Sequence, residues 1–114
     1  MGVDLSEARL YGTCLIAVNL DFANLIGSDL RNAILYSASL READLSAAEL
    51  RGADLNEADL SGADLSAADL KGADLNEADL ENISWDEETN WDDVRGLKTA
   101  LNVPEDLKLQ LGLE

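Results

Sequence analysis

The sequence has no histidine and a single cysteine, Cys14, in its 114 residues. Without histidine there is no imidazole base for a nucleophile relay, no imidazole metal ligand and no proton shuttle near neutral pH. A lone cysteine excludes an internal disulfide, which fits a reducing compartment and a cytoplasmic location. No local partner is placed to lower its pKa. Bases are scarce too: 8 Lys and Arg stand against 24 Asp and Glu, a net charge of −16. A chain this acidic is repelled by nucleic acid and by anionic membranes, and favours basic partners or cations. No apolar run approaches the roughly 20 residues of a membrane span. The N-terminus has neither the basic nor the apolar segment of a secretory leader. Gly2 with Ser6 matches a loose myristoylation pattern, but residues 3–6 are already explained as the first unit of a repeat. Glycines occur singly rather than in a phosphate-binding loop.

What the sequence has instead is a clock. Every fifth residue from Leu5 to Leu80 is leucine, sixteen in succession. On an α-helix, five residues advance about 500°, so these leucines would spiral over every face. On a flat strand the odd spacing would alternate them between two faces. They share one core only if the chain turns by a fixed angle after each five residues, which is a solenoid. Two positions before each leucine stands Ala in twelve repeats, with Val3, Thr13, Val18 and Ser28 as the exceptions. The residue just before is Asp in nine, and Asn19 and Asn24 are close relatives. The leucine and the small residue face inward, the other three face water, and Asp, Asn, Ser and Gly suit the tight turns. Residues 46–60 and 66–80 agree at 13 of 15 positions. That gives a super-period of 20 residues, or four repeats of about 90° to each coil.

The run Ala-Asp-Leu-x-x, as in Ala53-Asp54-Leu55-Asn56-Glu57 and Ala73-Asp74-Leu75-Asn76-Glu77, resembles the pentapeptide-repeat family over residues 3–82. The resemblance implies an all-β solenoid: a right-handed quadrilateral β-helix of about four coils, spanning residues 1–82. At a strand spacing of ~4.8 Å the prism is about 19 Å tall.

The clock stops after Leu80. Ile83 keeps the small-residue position, but Trp85 stands where leucine belongs. Residues 83–114 are expected to form a C-terminal α-helical cap with two short helices. The first runs from about Trp91 to Thr99, with Asn90 as N-cap and apolar residues Trp91, Val94, Leu97 and Leu101 spaced by three and four. The second runs from about Pro104 to Leu111, with Gly112 as its stop. Solenoid ends expose leucines and strand edges, so Trp85, Trp91 and the helix pair are read as a lid on the last coil. The segment resembles tails of cyanobacterial family members; a dimerisation helix is the alternative. Met1 and Gly2 are too short to cover Leu5, Leu10, Leu15 and Leu20. Either another chain covers that end, or Val3, Val18 and Phe22 close it locally.

Folding the chain at 20 residues per coil sorts the outward residues into columns. On the second face, Tyr11, Arg31, Arg51 and Lys71 run beside Arg9, Asp29, Glu49 and Asp69, a stripe of mutual neutralisation. Asp54 stacks over Asp74 and Asp59 over Asp79; such a column could recruit a cation. It lies on a convex wet wall, and no catalytic, cofactor or metal site is assigned. On the third face Cys14, Ile16, Ile34 and Tyr36 form one exposed apolar patch, the candidate interface. The function expected is therefore a non-enzymatic repeat scaffold for protein–protein interaction. Its partner is an unidentified protein, or a second copy meeting it through the N-terminal coils, with no nucleic acid and no membrane. The alternative is an acidic DNA mimic acting on DNA gyrase, as the resemblance allows. Four coils span only part of the ~34 Å of a DNA turn.

Overall fold

A computed structural model describes residues 2–113. Its organising interaction is a set of parallel backbone bridges. Asp4 pairs with Asn24, Arg9 with Asp29, Cys14 with Ile34 and Asn19 with Ser39, and the same 20-residue offset repeats up to Asp64 with Ser84. Each coil is thus four five-residue sides, stacked so that residues 20 apart lie over one another. Leu25 through Leu80 are completely buried, and Ala23 and Ala33 through Ala78 stand beside them at the corners. Ser28 takes an alanine's place with its hydroxyl buried and unpartnered.

The five backbone amides of a repeat have separate destinations, and the repeat around Leu45 shows them. Leu45 N–H donates to Asp64 O, and Ala47 N–H to Ser66 O in the coil above. Asp44 N–H reaches down to Ala23 O, and Ala48 N–H closes a turn on Leu45 O. The fifth, Ser46 N–H, is taken by the Asp44 carboxylate at 3.0 Å. No amide of the repeat is left without an acceptor, which is what allows a coil of isolated bridges to be buried.

The turn carries a further demand. The residue two after each leucine has φ near +60°, for example Glu7, Ala47 and Glu77 as well as Gly52 and Gly72. Positive φ at the second central position alone marks a type II turn. For a residue with a Cβ this costs about 1 kcal/mol or more, and it persists because the ladder above and below fixes the corner.

The coil does not end with the leucines. Ser84, Asn90, Arg95 and Leu101 pair with Asp64, Asp69, Asp74 and Asp79, so a fifth coil follows, with one extra residue at each of two corners. The helix expected over Trp91–Thr99 is absent; the one helix among the described residues, α1, spans Glu105–Leu111. The spacing of three and four that suggests a helix has another origin. Thr89-Asn90-Trp91-Asp92-Asp93 is a repeat with tryptophan in the leucine position. Asn90 Oδ1 accepts Asp92 N–H, Asp93 has φ +57°, and Arg95 N–H donates to Ala73 O. A free coil edge offers this segment hydrogen bonds that outweigh a weak local helix preference. Helix α1 then lies across the last coil. Leu107 is fully buried beneath it, Gly112 ends it in the left-handed conformation, and Trp85 Nε1 donates to Gln110 Oε1 at 2.9 Å.

Gly96 sits over Leu75 where a leucine would otherwise stand. A Cβ there would lie 2.3 Å from the Asn76 amide nitrogen, and φ is +85°. Gly96→Ala is expected to destabilise the protein by about 2–4 kcal/mol, read as a lower midpoint in urea unfolding. Gly72→Ala, whose Cβ would meet nothing within 4 Å, should cost about 1 kcal/mol.

Candidate functional site

The acidic surface has a structural origin. In eleven of the sixteen repeats the Asp or Asn before the leucine accepts the N–H of the residue after it. Ser39 is too short, and Asp21 one coil away takes the Arg41 N–H at 3.0 Å. The carboxylate is thus a corner cap. Stacking sets these caps in columns, so Asp54 bridges to Asp74 and Asp59 to Asp79. No group of three or more metal-ligating side chains converges among the described residues.

Four corners lack a cap: those preceded by Arg9, Cys14, Ile34 and Glu49. Two of them, Cys14 and Ile34, adjoin on one face and are bridged to each other. There the residues after the leucines are Ile16 and Tyr36, exposed by 54% and 41%. Ile34 is exposed by 37% and Cys14 is exposed with a free thiol. The structure therefore brings Cys14, Ile16, Ile34 and Tyr36 together on one wall, where apolar side chains have replaced the caps. Tyr36 is held in place by its hydroxyl, which donates to Glu57 at 3.0 Å; this bond to a carboxylate raises the pKa of the phenol.

The apolar surface is wider than that patch. Val3, Tyr11, Phe22 and Ile26 are exposed as well, whereas no large apolar side chain is exposed between residues 37 and 100. Phe22 points outward rather than closing the first coil, because it occupies the left-handed corner position, and Val3 is half-exposed. Leu5, Leu10 and Leu15 stay partly exposed, and Val18 packs beside them. The outward columns at the corners, read for all four faces, carry this signal in the sequence. Of the two lid tryptophans, Trp91 is buried and Trp85 is half-buried at the edge. A hollow of about 540 Å³ opens between the fifth coil and α1 and is lined by Leu97, Val103, Lys98 and Lys108 among others.

Four of the eight basic residues, Arg31, Arg41, Arg51 and Lys108, have a carboxylate within 4.0 Å. Arg31 binds Asp29 at 2.8 Å and lies 5.2 Å from the Tyr11 ring centre. Arg51 reaches Asp69 at 3.5 Å, so two bases of the second-face stripe are paired, at small energetic worth, while Arg9 and Lys71 have no ion pair among the described residues. Asp21 holds Arg41 at 2.7 Å, and the hydrogen bonds from Arg41 and then Ser39 hold its carboxyl down at about 2. Among the described residues no helix is long and apolar enough to cross a membrane.

A family model described as pentapeptide repeats matches in eight copies over residues 13–51 and 43–82. A pentapeptide-repeat protein from Nostoc PCC 7120 is 36% identical, with 81% of this chain and 83% of that chain covered and a TM-score of 0.77. A pentapeptide-repeat protein from the Arabidopsis thaliana thylakoid lumen is 32% identical over 97% of this chain and 75% of that chain, TM-score 0.61. The plasmid-mediated fluoroquinolone resistance protein QnrB1 is 23% identical over 72% of this chain and 53% of that chain, with a TM-score of 0.49. No curated protein sequence matches.

Two outcomes follow from the caps. Asn19, Asn24 and Asn90 show that asparagine caps a corner as aspartate does. Cys14→Asn is therefore expected to give Ile16 N–H an acceptor and raise stability by about 0.5–1 kcal/mol, seen as a higher thermal midpoint. Asp21 ionises more readily folded than unfolded. The stability it contributes is present above its unfolded pKa of about 3.8 and is lost as pH falls toward about 2. Asp21→Asn should flatten that part of an acid-unfolding profile followed by circular dichroism.

Proposed function

The chain belongs to the pentapeptide-repeat family, and on that premise we propose that it is a non-enzymatic scaffold that binds another protein through the apolar wall of its first two coils. The fold is then the family's right-handed quadrilateral β-helix, and the hand agrees with that of nearly all parallel crossovers. The observation that carries the functional reading is the substitution of Cys14 and Ile34 for corner caps. Two successive coils that each give up a stabilising carboxylate on one face for an exposed apolar side chain, beside coils that keep Asp54 and Asp74 there, have the pattern expected of a surface held for contact. Nothing in the side-chain inventory argues for catalysis: there is no histidine, and the leucine and alanine filling leaves the coil interior without a cleft. The partner is a protein, not nucleic acid or a membrane, since the wall around the patch is acidic. In the cytoplasm the exposed Cys14 thiol would stay reduced.

The DNA-mimic reading draws its support from net charge. Here the carboxylates are accounted for as caps, and the likeness to QnrB1 carries no argument at its TM-score of 0.49.

The test is affinity capture from the native cell with three baits. Wild type and Tyr36→Phe, which keeps the ring, should retain the same protein. Tyr36→Asp should lose at least nine-tenths of it, about 1.4 kcal/mol of binding. Equal capture by Tyr36→Asp would sink the reading.

A further inference from the structure

The first coil presents more than apolar side chains. The amides of Asp4, Arg9, Cys14 and Asn19 and the carbonyls of the same residues make no backbone hydrogen bond among the described residues. Their counterparts one coil on do: Asn24 N–H donates to Val3 O and Asp29 N–H to Ala8 O. In each side of the first coil, then, one residue holds out both a donor and an acceptor along the axis, away from the second coil. Val3, Tyr11, Ile16 and Phe22 surround this edge, all exposed.

Charge selects what can meet it. Residues 1–42 carry five acids and three bases, net −2, whereas residues 43–114 carry nineteen acids and five bases, net −14. The first two coils are the least acidic of the leucine coils, so two copies that join there bring less like charge together than copies meeting along the third and fourth coils. The end of the prism measures 24 × 24 Å, so such a contact buries about 1,150 Å² over both copies, near the lower limit of about 1,200 Å² for stable interfaces.

We propose that two copies associate end to end through their first coils, about a two-fold axis perpendicular to the solenoid. The inference rests on the reading of the first two coils as an interface, and it names the partner. A two-fold turns one edge antiparallel to the other. A residue offering both N–H and C=O toward its opposite number then exchanges both with it, the closely spaced pair of an antiparallel ladder. With one such residue on each side, about eight backbone hydrogen bonds form across the contact.

The side chains choose among the alignments a square end permits. An axis through the middle of a side places Asp4 on Asp4 or Arg9 on Arg9 of the second copy. An axis through the corner between the Leu10 and Leu15 sides places Arg9 on Cys14. The axis through the corner between the Leu5 and Leu10 sides places Asp4 opposite Arg9 of the second copy, twice by symmetry, and Cys14 opposite Asn19. Arg9 is free for this role: Arg31, Arg41 and Arg51 each have a carboxylate within 4.0 Å, and Arg9 has none among the described residues. Opposite charges facing across a strand pair stabilise it and like charges destabilise it.

The experiment uses the 114-residue chain. Light scattering should give twice the 12.2 kDa chain mass for wild type. Arg9→Asp and Asp4→Arg, each checked for folding by circular dichroism, should associate at least tenfold more weakly, because each sets like charges opposite at both pairs. Mixed together they should form a dimer again, since both pairs are then complementary. In wild type, hydrogen exchange at the amides of Arg9, Cys14 and Asn19 should slow as protein concentration rises, a readout that needs no variant. A wild-type monomer overturns the proposal, as does a mixture that stays monomeric or a dimer whose three amides remain unprotected. A monomer that still captures a protein in a Tyr36-dependent way overturns the end-to-end pairing alone and leaves the scaffold reading standing. A Tyr36→Asp bait that captures as wild type does, with the charge-swap pattern intact, does the reverse.

Discussion

The parallel ladder between residues 20 apart is the constraint on which everything else depends. It fixes the left-handed corner conformation of residues as ill-suited to it as Glu57, Ala67 and Phe22. It also brings the leucines into register, so that Leu25, Leu45 and Leu65 lie over one another in a core with no exposure. Neither ingredient suffices alone. A single five-residue turn closes one hydrogen bond and buries almost nothing, so a repeat is stable only between neighbours. Cooperativity of this kind explains why the ladder can recruit residues 83–101, which have lost the leucines but still present backbone at the required spacing.

The same constraint shapes the surface. A corner leaves one amide pointing outward, and a short side-chain oxygen just before the leucine satisfies it. Sixteen corners therefore call for a series of Asp and Asn, and a large share of the net charge of −16 follows from that need. Charge in this chain is first a consequence of turning. Its uneven distribution then has effects of its own: the two leucine coils with the fewest carboxylates are those with exposed apolar side chains, so like-charge repulsion is weakest there among the leucine coils. Arg9, Cys14 and Ile34 depart from the corner rule together, and all lie in the first two coils.

Much of the architecture was legible in the residues. The leucine interval, the alanines beside them and the 20-residue likeness between 46–60 and 66–80 define the sides, the core and the coil length. The apolar quartet on the third face was legible once residues were sorted by column. The fifth coil was not, because Trp91, Val94 and Leu97 have the spacing of a helical stripe. What decides between the two is the free edge above Asp69 and Asp74, which local sequence does not contain. The outward turn of Phe22 was also hidden, since a large apolar residue at an end is as readily read as a plug.

The sequence by itself determined the five-residue step, the identity of what goes inside, and the absence of imidazole chemistry. These are properties of composition and period, and they hold whatever the chain packs against. Only the tertiary structure decided where the coil stops, which corners go without a cap, and which apolar side chains stay exposed toward the two ends. Those outcomes depend on which backbone groups find partners across 20 residues or more. Such pairing is settled between coils, and no window of neighbouring residues encodes it.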